Sequence, residues 1–140
     1  MNSIEQLQVT PELIVALTIS LIIYVLYLLT NYRLLKSIPA NYQTWKPIWV
    51  WTMLIPIANL IIHFFLVYNT SKSLFKLFNA HGKDTKHLNL TFNIGIAFCI
   101  LTICNIIPAV AVVTSFFSTC LFVIYWIQLS KIKKMLHPEH

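Results

Sequence analysis

Read from its start, the chain alternates between long runs without a charge and short basic pieces. No Asp, Glu, Lys or Arg occurs between Glu12 and Arg33, between Lys46 and Lys72, or between Lys86 and Lys131. A helix needs about 20 mostly apolar residues to cross a bilayer. The first interval therefore predicts one spanning helix, the second one with residues to spare, and the third two. The expected fold is an all-α integral membrane protein, a four-helix transmembrane bundle forming a single domain over residues 1–140. Its helices are expected at about 11–32, 47–68, 88–107 and 108–130, the second continuing to 80 as an amphipathic helix.

Local signals place the ends. Thr10-Pro11-Glu12 reads as a helix start, with Thr10 as N-cap, Pro11 at the first helical position and Glu12 near the positive helix end. The residues before Thr10 are polar and expected to be partly disordered, and the first apolar run lacks a small-residue cleavage site, so it is expected to remain as the first anchor. Trp45, Trp49 and Trp51 crowd the start of the second helix like an interfacial aromatic belt. Pro56 falls in the middle of that helix, where a kink or break is expected. Beyond Tyr68, Lys72, Ser73, Lys76, Asn79 and Ala80 fall on one side and Leu74, Phe75, Leu77 and Phe78 on the other, a pattern suited to the headgroup region. Gly82 is the expected stop. Asn105 to Pro108 reads as a tight turn, with Pro108 starting the fourth helix.

Composition and charge then narrow the class. Of the 140 residues, 58% are hydrophobic and 10% charged, and the net charge is +6. Because the basic residues flank apolar segments, they are expected to set orientation and meet anionic lipid headgroups, not nucleic acid. Four spans would place Lys72, Lys76, Lys83, Lys86, Lys131, Lys133 and Lys134 on one side and Arg33, Lys36 and Lys46 on the other. Three spans plus a re-entrant helical hairpin folded at Pro56 would gather all of them on one side, as the positive-inside rule favours. The length of the second segment and the aromatics at both its ends favour four spans. Both arrangements put the 69–87 loop and the C-terminus in the cytoplasm of a bacterial inner (plasma) membrane.

Asn59 and His63 are four residues apart and share a helix face, with Thr52 two turns before them. Polar groups at membrane depth belong against other protein or a wet cavity. One reading is interhelical hydrogen bonding, with Asn93, Thr102 and Asn105 as partners. The other is a solute or ion site beside carbonyls freed at the Pro56 break. Gly95, Cys99 and Thr102 line up as a small-residue face for close helix packing. Lys72, Lys76, Lys131, Lys133 and Lys134 are the basic residues expected to face lipid or a partner. Phosphate-cradle, zinc-hydrolase and nucleophile-elbow motifs are missing from the sequence, so neither an enzyme nor a bound cofactor or metal is expected.

The segment from Ile38 to Leu74 resembles a group of small, uncharacterised bacterial membrane proteins. The likeness rests on Pro39 and Tyr42 (one residue further apart than the pattern), Val50-Trp51, Ile55-Pro56, Asn59-Leu60, and Phe64-Phe65 with Val67, and extends over about residues 38–135. It implies the architecture and no activity; some relatives carry a small GYF-like domain, which hints at interaction work. The leading expectation is thus a non-enzymatic membrane protein acting as an oligomer or as a subunit of a larger membrane assembly. The alternative is a small channel or transporter with its site at the Pro56 break.

Overall fold

The structure, a computed structural model, describes residues 10–136 and is all-helical over them. The polar start before Thr10 and the tail after Leu136 lie outside the described residues. Helix α1 is Pro11–Ser37, a 3-10 helix covers Pro47–Leu54, and α2, α3 and α4 are Pro56–Ala80, Lys86–Cys104 and Ala111–Leu136.

Helix α1 starts as expected, the Thr10 hydroxyl accepting from the Leu13 N–H at 3.3 Å. It runs past the expected end to Ser37, because nothing before Pro39 disfavours the helix. Ile38, which precedes that proline, is extended, as the residue before a proline prefers. The connector is then packed and not loose. The Gln43 side chain donates to the carbonyls of Leu35 and Ile38, satisfying the helix end. Thr44 donates its N–H to Ser73 Oγ and its hydroxyl to the Asn69 carbonyl of α2.

The expected single helix over 47–68 is two pieces. Ile55 is extended ahead of Pro56, and Pro56 begins α2, where its missing N–H costs nothing. It is a helix starter and not a mid-helix kink. In the preceding 3-10 helix, side chains three apart eclipse, so Val50 and Met53 share one face; both are buried. Met53 lies level with Tyr24, whose hydroxyl donates to its carbonyl at 3.1 Å. The 3-10 helix thus runs back along α1 from the connector, turns at Ile55, and α2 returns parallel to α1, bringing His63 beside Tyr27 and Ser73 beside Thr44. The two form a helical hairpin with its tip at Ile55.

Along α2, His63, Leu66, Val67, Thr70, Leu74, Leu77 and Phe78 form a buried stripe at helical spacing. The stretch expected as a surface-lying amphipathic helix is therefore the far half of α2, packed on its own bundle. Ser73, expected on the polar side with Lys72 and Lys76, is fully buried against Thr44. The helix ends in a Schellman arrangement: Gly82 has φ +62°, Lys83 N–H donates to Phe78 and Gly82 N–H to Asn79. Helix α3 stops at Cys104, and α4 begins at Ala111; Pro108, expected to start the fourth helix, lies instead in the turn between them.

Helix α1 packs on the 3-10 helix and on α4, α4 on α3, α3 on α2, and α2 on the 3-10 helix, which closes a ring. Ser37, Pro39, Leu77, His81, Lys83 and Leu136 border one groove, so both inter-helix connectors after α1 and α2 meet the end of α4 there. All ten Lys and Arg lie at or near this end. Three helices, α1, α3 and α4, are long and apolar enough to cross a membrane. The four spanning helices expected are thus reduced to three on that measure, because α2 becomes polar from Asn69 onward and its apolar lead-in belongs to the 3-10 helix.

Candidate functional site: a polar pocket at the hairpin tip

Breaking the backbone at Ile55 places Asn59 in the second turn of α2, directly inside the tip. Its N–H is satisfied by the Ile55 carbonyl at 2.9 Å. Its side-chain Oδ1 is buried and has no hydrogen-bond partner. One turn on, His63 is 7% exposed, and its Nε2 shares a 3.1 Å hydrogen bond with the Tyr27 hydroxyl. The imidazole stacks on the Tyr27 ring and meets Phe98 edge-on, at centroid distances of 5.9 and 4.9 Å. Tyr27 itself is fully buried among Phe122, Tyr125 and Trp126.

Asn59 and His63 open onto a cavity of about 170 Å³, further lined by Tyr24, Leu60, Phe98, Cys99, Thr102 and Phe122. One water occupies roughly 30 Å³ in the liquid, so the space takes a few waters or a solute of several heavy atoms. No Asp, Glu, Lys or Arg lines it. A buried, uncompensated charge is strongly unfavourable, so the lining suits a neutral guest. Tyr24, Asn59, His63 and Thr102 give the lining its polar character.

The residues singled out in the sequence divide. Asn59, His63 and Thr102 come together in the pocket, as does Cys99. Gly95 lies one turn from Cys99 at a close contact between helices. A Cβ there would meet Tyr125 Cε2 and Val67 Cγ1 at 2.8 Å each, so the small-residue face serves packing of α3 against both neighbours. Thr52 is elsewhere: its hydroxyl donates to the Trp49 carbonyl within the 3-10 helix, whose tighter winding removes it from the Asn59 face. Asn93 is exposed on α3 and does not reach the pocket. Asn105 accepts from the Thr114 hydroxyl across the α3–α4 turn. The partner of His63 is therefore Tyr27 of α1 and none of the three polar residues expected. Lys72, Lys76, Lys131 and Lys134 are exposed, and Lys133 is half-buried. Cys99, Cys104 and Cys120 are free, and no group of three His, Cys, Asp or Glu residues capable of holding a metal occurs among the described residues.

Sequence reasoning overlooked Tyr24, Tyr27, Phe98 and Phe122. The usable signal was Tyr24 and Tyr27 three apart in an uncharged run, two hydroxyls on one helix face that need partners at depth. Comparison of the chain with protein-family models, with curated proteins and with solved structures gives no match.

Proposed function

We propose that the chain is a small channel or transporter of the inner membrane whose site is the pocket at the break before α2, and that its guest is a small, uncharged, hydrogen-bonding solute. In this reading α1, α3 and α4 span the bilayer, and the 3-10 helix and α2 form a re-entrant hairpin whose tip reaches the membrane interior. Irregular backbone is tolerated at that depth only where protein or a wet cavity covers it, and the beginning of a discontinuous helix there is a recurrent place for a solute. The observation that carries the proposal is the cavity itself, lined at the hairpin tip by Asn59 and His63 and by no charged residue. The gathering of every Lys and Arg at one end supports an orientation with that end in the cytoplasm.

The test is solute entry into proteoliposomes, followed by light scattering with glycerol, urea and ammonia as probes. Wild-type protein is expected to raise the rate for at least one probe above that of protein-free vesicles, with Asn59→Leu returning it to the background and Asn93→Leu leaving it unchanged. No stimulation by wild-type protein, or equal stimulation by Asn59→Leu, would sink the proposal.

A role as an oligomer or assembly subunit is the second reading. Neither the small-residue face of α3 nor the apolar side of residues 69–80 is free for it, since both are used inside the fold. What favours it instead is the first part of α1, where every residue from Thr10 to Ile23 is exposed. A stoichiometric unrelated membrane partner co-purifying through a Leu17→Cys crosslink, without solute flux, would select this reading.

A further inference from the structure

Between α2 and α3, well away from the hairpin tip, lies a groove of about 280 Å³. Tyr68, Ser71, Lys72 and Phe75 form its α2 wall and Phe92 its α3 wall. Residues 68, 71, 72 and 75 stand at helical spacing on one face, so the trough is continuous along the helix. Its walls are largely aromatic, and between Tyr68 and Phe75 the Lys72 Nζ stands 5.7 Å from the Tyr68 ring centroid. Lys76, one turn further on, is exposed as Lys72 is.

The groove joins aromatic walls to a lysine, with Lys76 exposed just beyond, which suits a lipid whose chain lies along the rings and whose phosphate meets the lysines. Lysine stems lie along apolar surface while their charged ends reach the headgroups, so Lys72 and Lys76 suit a phosphate at the basic end of α2. The protein supplies little counter-charge: among the described residues Asp84 is the single acid at the basic end, and its carboxylate accepts the Lys86 N–H.

We infer that this groove is a binding site for one anionic phospholipid, its phosphate held by Lys72 and Lys76 and one acyl chain seated on Tyr68 and Phe92. The inference rests on membrane insertion alone and not on the solute pocket. A second wide depression, at Trp126, Ser130, Lys131 and Lys134, is walled by α4 alone and gives a chain nothing to lie between.

The experiment is native mass spectrometry of the full chain released from detergent with equimolar phosphatidylglycerol and phosphatidylcholine of identical chains. Wild-type protein is expected to retain one phosphatidylglycerol at least fivefold over phosphatidylcholine. Lys72→Gln with Lys76→Gln should abolish the preference, and Arg33→Gln with Lys36→Gln on α1 should keep it. Phe92→Ala should lower retention of both lipids. Equal retention of the two lipids by wild-type protein would overturn the proposal. So would equal loss from the two cation pairs, which would assign the effect to diffuse surface charge. A dimer broken by Phe92→Ala, with no lipid preference, would give the groove to a second copy and overturn it too.

Discussion

The two halves of α1 have the same apolar character and opposite surroundings. From Thr10 to Ile23 every residue is exposed, whereas Tyr27, Leu28, Asn31, Leu34 and Leu35 are fully buried. The boundary coincides with Tyr24, the level at which the hairpin tip stops. Above it, the 3-10 helix and α4 flank α1. Below it, α1 has no neighbour among the described residues, and the turn between α3 and α4 is similarly bare, with Ile106 to Val110 exposed. Lipid tails are as apolar as leucine, so a helix in a bilayer is not forced to find a protein partner. What makes a core here is shape and polar pairing: aromatic rings around Tyr27, a glycine contact at Gly95, and hydrogen bonds linking α1, α2 and α4. The hairpin's depth therefore decides which half of the molecule is a packed protein and which half is separate helices.

That contrast breaks most severely at Gly95. Gly95→Leu drives a side chain into Tyr125 and Val67, and overpacking of this kind is expected to cost about 3 kcal/mol or more in denaturation from detergent micelles. A stability within 1 kcal/mol of wild type would mean that α2, α3 and α4 do not pack as described. A smaller loss is expected from His63→Leu, which leaves the buried Tyr27 hydroxyl without its partner: about 1–2 kcal/mol by the same assay. Adding Tyr27→Phe should recover part of that loss, since the pair is then absent from both sides. If the two substitutions simply add, they do not share a bond. The smallest effect belongs to the bare half. Leu17→Ala, at a side chain 61% exposed, is expected to change stability by less than about 0.5 kcal/mol. A larger loss in micelles would reveal a protein partner on that face.

Much of this arrangement was readable beforehand. The charge-free intervals mark the apolar helices because charge at membrane depth is so unfavourable. Thr10 and Gly82 mark helix ends because each satisfies backbone groups in a way few residues do. Asn59 and His63 were recognisable as polar residues at depth. The hairpin was visible only as an alternative, since a proline in an apolar run predicts either a kink or a new start. What decides between them is whether the preceding residues wind as an α or a 3-10 helix. The run from Pro47 to Leu54 is apolar on all sides, so it has no periodicity to read. Ser73 was misplaced for a related reason: its partner Thr44 lies 29 residues away in a connector that looked unstructured. The aromatic walls of the pocket were hidden because Phe98 and Phe122 differ in no local respect from phenylalanines facing lipid.

The re-entrant hairpin is the claim from which the pocket's depth, the charge asymmetry and the bare half of α1 all follow, and the exposed Asn41 in the α1 connector tests it directly. With all native cysteines replaced by alanine, Asn41→Cys in intact spheroplasts should not react with a membrane-impermeant maleimide, and should react fully once the membrane is permeabilised. Labelling of Asn41→Cys from outside intact spheroplasts would make the segment after it a full span and contradict the account.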